Sequence, residues 1–391
     1  MVPKQDVLDA VWGGRFVSDE TVKGSFYQLR KALGDNPRQP RFLETLPKRG
    51  YRVLIDPLPL AQGTDSGQSE AQELYLKGRQ ELAGQPSPES LKQARLYFER
   101  SLQSHADNAA ALSCLAQTYI LMVIVGAGHG RELLPRAKAA ASRAAELDPK
   151  LAESHISLGA VRFVHDHDFR AADNEFRTAI ELNPRDSTAH RWYARFLSSQ
   201  NRHAEAIAEA RRALEADPLS LLPRRDLVEV LFIARRYEDA IGEAQQLFDI
   251  APHAADVHLG MVWVYHLHGQ DRDAMAAFKS GLKSLGVSPA MLEQAQDAFD
   301  RGGLTAVMRL WLRVVESQAA LGQKNLVDGI VLTALLGEND RCFELLELAL
   351  EEGHPSVLWL PVSPIFDGLR SDPRYLPLVA RLGFSQPFPN Q

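Results

Sequence analysis

Three stretches of the sequence share one pattern and decide the fold: AKAAASRAAELDP (residues 137–149), ADNEFRTAIELNP (residues 172–184) and AIAEARRALEADP (residues 206–218). Each begins with alanine, has alanine or phenylalanine four residues later and alanine three residues after that, and ends in proline. The stretches start at Ala137, Ala172 and Ala206, so the offset between them is nearly constant. Such a regular spacing indicates an internal repeat in which every unit is the same supersecondary element.

The phase of this repeat continues on both sides of the three stretches. The same offset leads from the third stretch to Ala240 and Ala274, and then to the apolar Met308 and Cys342, where the rest of the motif has faded. In the other direction Ala94 fits the frame, with nine extra residues before the next unit. We therefore predict eight units between about residues 70 and 355.

Each feature of the repeat has a role in a pair of packed helices. Small residues in the alanine column allow two helices to approach closely, and the closing proline lies where one helix has ended and the next begins. Gly269, Gly303 and Gly337 recur at the same offset, at the predicted turn within a unit, where glycine can take a positive φ.

The pattern resembles the tetratricopeptide repeat, a unit of about 34 residues that forms two antiparallel helices. The resemblance implies a mainly all-α superhelix of about eight hairpins, whose concave groove is lined by the first helix of each unit and binds a protein or peptide. In that frame the candidate groove residues are Arg191, Arg195, Arg225, Glu229, Trp263 and His266. The alternative for each of them is packing between repeats, most of all for Trp263.

Residues 1–56 follow a different pattern. In the stretch before Gly34, apolar residues recur at spacings of four, three and four, which predicts a helix. This helix should end at about Leu33, because the next residue, Gly34, is placed as a C-terminal cap. Two strand patterns, at residues 42–46 and 51–55, flank a basic turn at residues 47–50. A helix, a turn, a longer helix and a basic hairpin form the layout of a small α+β winged helix-turn-helix.

Four stretches of this head resemble the DNA-binding domain of OmpR/PhoB-type regulators: LDAVWG (8–13), VSDETV (17–22), QLRKALGD (28–35) and ETLPKRGYR (44–52). The resemblance implies a recognition helix and a wing that contact double-stranded DNA. The candidate contacts are Lys23, Ser25, Gln28, Arg30 and Lys31 on the helix, and Lys48 and Arg49 on the wing. A solvated charged face is the alternative for the helix positions.

That family's domain begins with a small sheet and a helix ahead of the position that matches Gln5. We therefore expect an incomplete winged-helix head at residues 1–56. A flexible linker at 57–69, the repeat array at 70–355 and a capping tail at 356–391 over the last helical pair should follow.

Charge supports a nucleic-acid role for the head alone. Residues 1–55 carry a net charge of +4, whereas the rest of the chain carries −10. A basic head on an acidic body is typical of a DNA-contacting module joined to a partner domain, although so small an excess also arises by chance.

No catalytic pattern stands out elsewhere. Phosphate-binding glycine loops, nucleophile elbows and paired carboxylates are missing from the sequence, so we predict no enzymatic activity and no cofactor. His165-Asp166-His167, at a turn expected to be exposed, could suggest a metal, but no third ligand is predictable. Cys114 and Cys342 are too far apart in the sequence to indicate a disulfide framework, so we predict a cytoplasmic protein. No apolar run approaches the ~20 residues of a membrane span, so we predict no membrane contact.

Two functions remain open at this stage. The first is a transcriptional regulator whose head binds DNA while the array senses a protein or peptide, or mediates self-association. The second is an interaction scaffold that does not bind DNA because its head is incomplete.

Overall fold

The computed structural model describes residues 43–46, 50–53, 66–84, 86–320 and 325–384. The chain divides into two compact units, residues 1–65 and 66–391. In the first unit, strands β1 (Leu43–Leu46) and β2 (Gly50–Val53) pair antiparallel, with Leu43 opposite Val53. The predicted hairpin is confirmed, while the predicted helices of the head lie outside the described residues.

The second unit is built from eight helical hairpins, which confirms the predicted fold class. Unit 1 consists of α1 (Ser66–Ala83) and α2 (Pro88–Ser104), unit 2 of α3 (Ala109–Ile124) and α4 (Gly130–Leu147), and unit 3 of α5 (Ala152–Val164) and α6 (Phe169–Leu182). Unit 4 consists of α7 (Ser187–Ser199) and α8 (His203–Ala216), unit 5 of α9 (Leu221–Ile233) and α10 (Tyr237–Ile250), and unit 6 of α11 (Ala255–Leu267) and α12 (Asp271–Ser284). Helix α1 begins at Ser66, so residues 66–69 are helical and not part of a linker.

Units 7 and 8 complete the array. The range α13 (Pro289–Ala320) holds both helices of unit 7, because the backbone is not helical at Gly302 and Gly303, where Gly303 has a φ of 64°. Unit 8 consists of α14 (Leu326–Leu335) and α15 (Asn339–Glu351). Two 3-10 turns, Pro355–Trp359 and Pro364–Leu369, and helix α16 (Tyr375–Arg381) follow, and we call residues 355–384 the tail.

The repeat columns form the core of the array. All eight residues of the alanine column are buried with at most 2% of their surface exposed: Ala94, Ala137, Ala172, Ala206, Ala240, Ala274, Met308 and Cys342. Residues four positions later, such as Phe98, Phe176 and Phe278, are buried as well. Small and large residues therefore alternate along the core, and the helices of each hairpin interdigitate at close range.

Helix starts and turns have local causes. Side chains such as Asn108, Asp168 and Asp186 accept hydrogen bonds from the first free backbone N–H groups of the following helix. Gly269, Gly303 and Gly337 all have positive φ, as predicted. The same column continues upstream without glycine, because His167, Asn201 and Arg235 also have positive φ, between 52° and 60°.

Longer helices in unit 2 account for seven of the nine surplus residues in the sequence frame. Its helices α3 and α4 have 16 and 18 residues, whereas α5 and α6 have 13 and 14. Among the residues that the structure describes, no helix is both long and apolar enough to cross a bilayer.

Candidate nucleic-acid and partner interfaces

The candidate nucleic-acid interface is centred on the wing hairpin. Strands β1 and β2 pair antiparallel, and the sequence between them, residues 47–49, contains Lys48 and Arg49. The predicted contacts themselves, Lys23, Ser25, Gln28, Arg30, Lys31, Lys48 and Arg49, lie outside the described residues, and their role stays a prediction.

The predicted groove residues of units 4 and 5 form one ionic cluster. Arg191 on α7 donates from Nε to Oδ2 of Asp226 on α9 at 2.5 Å, and Arg195 donates from Nη1 to Glu229 at 3.1 Å. Asp226 is only 4% exposed, so its charge requires both arginines. Burial lowers the pKa of Arg195, but the carboxylates of Glu229 and Asp226 raise it more, and the guanidinium stays charged.

The remaining groove residues join units 5, 6 and 7. Arg225 on α9 pairs with Asp256 on α11 at 2.8 Å. Trp263 stacks on Trp311 of unit 7, with ring centroids 5.4 Å apart, as the interpretation of packing between repeats requires. His266 contacts the carboxylate of Asp271, the first residue of α12 in its own unit, at 2.7 Å.

All six residues therefore lie on the first helices α7, α9 and α11, where they make intramolecular contacts. Arg225 and Glu229 keep 37% and 39% of their side-chain surface exposed, which leaves these two charges accessible at the edge of the cluster. Sequence reasoning missed Asp226, the acceptor that organises the cluster. The signal for it was the position of Asp226 one helical turn before the apolar Val230, on the face of α9 that becomes buried.

A second polar column runs through units 3, 4 and 6. His155, His190 and His258 each contact, through Nε2, the carbonyl of the proline six residues before them, at 2.9 to 3.1 Å. His155 and His190 also bind a carboxylate of the partner helix, Glu175 and Glu209 respectively. These bonds anchor each inter-unit loop to the hairpin that follows it.

The His165-Asp166-His167 turn has a structural role. Asp166 accepts from Lys138 at 2.7 Å and from Arg162 at 3.0 Å, so its carboxylate is occupied by two cations. Burial is the leading cause that lowers the pKa of both His165 and His167. The sequence interpretation expected an exposed turn, whereas the structure shows a half-buried one.

Comparison with known protein families matches two separate segments. Residues 1–53 match the family "Transcriptional regulatory protein, C terminal", and residues 158–220 match "Tetratricopeptide repeat". The chain joins an OmpR/PhoB-type segment to a tetratricopeptide-repeat array. The first match covers the wing hairpin, and the second runs from within α5 of unit 3 to the end of unit 4, including the helix that carries Arg191 and Arg195.

One curated relative is the transcriptional activator CadC of Escherichia coli strain K12, which is 34% identical over 56 residues. The match covers 14% of this chain, and the chain spans 11% of the activator's length. Whatever lies beyond that segment in the activator therefore has no counterpart in this match.

Two solved structures align with most of this chain's length. Human IFIT1, solved as a dimer with m7Gppp-AAAA, is 15% identical with a TM-score of 0.50, over 75% of this chain and 73% of that one. Yeast Tom70 is 16% identical with a TM-score of 0.46, over 84% and 70%. At these identities the likeness concerns the fold alone.

Proposed function

We propose that this protein is a transcriptional regulator that binds double-stranded DNA through its OmpR/PhoB-type segment and a protein partner through its repeat array. The observation that carries the proposal is the union of the two segments in one chain. The antiparallel hairpin β1–β2 and the basic charge of residues 1–55 support the DNA role. Chromosomal DNA as the ligand also fits the cytoplasmic location expected from the sequence.

In this proposal Lys48 and Arg49 neutralise phosphates or enter the minor groove next to the recognition helix. The residues Lys23, Ser25, Gln28, Arg30 and Lys31 supply contacts to bases and phosphates in the major groove. Because cations displace counterions from DNA, the affinity of such an interface depends steeply on salt.

The proposal is tested by selecting bound fragments from a random duplex library with the full chain. Affinity for a selected fragment should fall at least tenfold between about 50 and 200 mM salt. The double variant K48A/R49A should weaken binding at every salt concentration and flatten the salt dependence by about two charges.

The matched control is K92A/R100A, which removes the same two charges from exposed positions on α2 of the array. It should bind DNA as the original chain does. Equal losses in both double variants would show that only net charge matters. If no fragment is selected at any salt concentration, the DNA role fails and the alternative of an interaction scaffold without DNA binding is favoured.

For the array we propose a protein or peptide partner that contacts the accessible charges of Arg225 and Glu229. Sensing of that partner, and self-association, belong to the same proposal. Co-purification with cross-linking, followed by comparison of R225E with the control R211E on the exposed face of α8, tests it. A partner that both variants retain equally would remove Arg225 from the interface.

A further inference from the structure

The tail (residues 355–384) is folded and deeply packed. Its two 3-10 turns begin alike, because His354 and Ser363 each cap a turn whose first residue is a proline, Pro355 or Pro364. Eleven aliphatic and aromatic side chains of the tail are buried, among them Leu360, Phe366, Leu369, Tyr375 and Phe384. So short a segment cannot bury this many side chains against itself, so its partner surface is the array.

Contacts of the tail reach units in the middle of the array. Phe384 packs on Phe169 of unit 3, with ring centroids 4.6 Å apart. The guanidinium of Arg195 in unit 4 lies 5.8 Å from the ring centroid of Trp359. In unit 5, Arg235 donates two hydrogen bonds of 2.7 Å to the carboxylate of Asp367. The turn 364–369 also contacts α11 of unit 6.

Other contacts join the end of the array to its beginning. Arg374 lies over the ring of Phe343 at 4.4 Å, and Arg381 pairs with Glu347, both in α15 of unit 8. Directly after α15, the carbonyl of Glu352 accepts from the backbone N–H of Arg131 in unit 2 at 3.1 Å. Gly130 lies so close to this crossing that a Cβ there would collide with the carbonyl of Gly353.

The first helix of unit 2, α3, is covered on most of its surface. In α3, 11 of 16 residues are buried, including Gln117 and Thr118. In α6, a second helix, only 3 of 14 are buried. The turn 355–359 contacts α3 directly. A helix buried on nearly all sides has no face left for an external ligand.

We propose that the tail is the resident ligand of the array's own concave groove. It occupies the groove from unit 2 to unit 6, closes unit 8 onto unit 2, and excludes an external peptide from this length of the groove. This inference concerns the array alone and does not depend on the DNA role or on a partner. An external partner is restricted to surface that the tail leaves exposed, such as the side chains of Arg225 and Glu229 at the edge of the groove.

Hydrogen exchange of the full chain tests the proposal, with Arg235→Ala as the variant and Arg236→Ala as the matched control. Arg236 is adjacent in sequence but pairs within its own unit, with Asp239. Loss of the Asp367 anchor should raise exchange about fivefold in residues 364–384 and in the inner helices α3, α5 and α7. The control should leave these segments unchanged.

A second variant, Trp359→Ala, should raise exchange in α3 and α7 in the same way. If either variant raises exchange only in α14 and α15, the tail is a cap over the last pair and the proposal is overturned. Unchanged exchange in the tail of both variants would also overturn it, because neither contact would then hold the tail in place.

A peptide spanning residues 355–384, labelled at its N-terminus, tests whether the tail is resident. Titrated with the full chain, it should show no saturable change in fluorescence anisotropy, because its site is filled. Saturable binding that competes with the tail, seen as raised exchange in residues 364–384, would show that the groove exchanges its ligand and would overturn the proposal.

Discussion

At the residue scale, the array depends on a column of small buried side chains, around which there is no space for a larger side chain. Ala206 and Ala240 are completely buried between the helices of their hairpins. Their methyl groups set the distance between the two helix axes, and the next columns, Ala210 and Ala244, are equally enclosed. Larger side chains at these positions must therefore push the helices apart.

We predict that Ala206→Leu and Ala240→Leu each lower the free energy of unfolding by about 1–3 kcal/mol. Ala208→Leu is the control, because Ala208 lies on the same helix as Ala206 but is exposed. It should change stability by less than about 0.5 kcal/mol. Urea unfolding of the three variants decides the matter, and unchanged midpoints for all three would contradict the repeat frame.

The His190–Glu209 pair makes stability depend on pH. Nδ1 of His190 lies 2.6 Å from Oε2 of Glu209, and Nε2 lies 3.1 Å from the carbonyl of Pro184. Burial lowers the pKa of His190, whereas the bonds to Glu209 and Pro184 raise it, and the net direction is upward. The folded protein therefore holds this proton more tightly than the unfolded chain does.

A histidine with a raised pKa contributes its full stability below the pKa of the unfolded chain, near 6.5, and loses it as pH rises through the higher folded value. The unfolding free energy should accordingly decline from about pH 6.5 upward. His190→Gln should flatten this decline, while His105→Gln, at an exposed position, should keep the original slope. Parallel pH curves for all three proteins would refute the assignment to His190.

At the element scale, the turn within each unit requires a left-handed residue. The column from His167 to Gly337 has positive φ throughout its described length, and only its last three members are glycines. Gly269 has a φ of 79° with no neighbouring atom within reach of a Cβ, so backbone conformation alone opposes a side chain there. Gly260, by contrast, lies on the exposed face of helix α11 with free space around it.

Opposite effects are predicted for the same substitution at these two glycines. Gly269→Ala should cost about 1–2 kcal/mol, because alanine is strained at positive φ. Gly260→Ala should add about 0.5–1 kcal/mol, because alanine favours a helix interior. Thermal unfolding of the pair gives both signs in one experiment, and a stabilised Gly269→Ala protein would contradict the turn geometry.

The repeat was predictable from sequence because its cause is local. Alanine spacing, proline breaks and turn glycines act within one hairpin, and every one of them is visible within a single unit. The tail contacts were not predictable in this way, since Asp367 and Arg235 lie 132 positions apart and share no pattern. The groove residues were placed on the correct helices, but their acceptors on neighbouring units, such as Asp226, required the structure.

The surplus in unit 2 shows the same limit. Nine extra residues were evident in the sequence frame, but nothing in the pattern indicated their purpose. In the structure seven of them lengthen α3 and α4 relative to α5 and α6, and Gly130 and Arg131 at the start of α4 lie against the end of unit 8. The longer spacing in the sequence thus predicted that the array departs from a regular superhelix at unit 2. It did not predict that unit 2 contacts the end of unit 8.

At the scale of the whole array, closure couples units that are distant in sequence. Open repeat arrays unfold as chains of neighbours and can lose their ends first. Here the tail connects unit 2 with units 3 to 6 and with unit 8. Neither unit 2 nor unit 8 can therefore unfold without breaking contacts between residues that are distant in sequence. We expect cooperative unfolding.

Denaturant curves recorded by far-UV circular dichroism and by tryptophan fluorescence should coincide for the original chain. Gly130→Ala should separate them, because its Cβ collides with Gly353 and weakens the closing contact. Gly260→Ala is the control and should keep the curves together. Separated curves in the original chain would show that the array unfolds in pieces.

The contact between Gly130 and Gly353 also bears on how such a protein can evolve. Repeat proteins commonly grow by duplication of whole units, and an open array tolerates an added copy. In this chain an extra unit inserted between units 2 and 8 would move Gly353 away from Gly130. It would also displace the side chains of the tail from the residues of units 3 to 6 that they contact. The copy number of the array is therefore fixed by its closure, and change must come by substitution within the existing units.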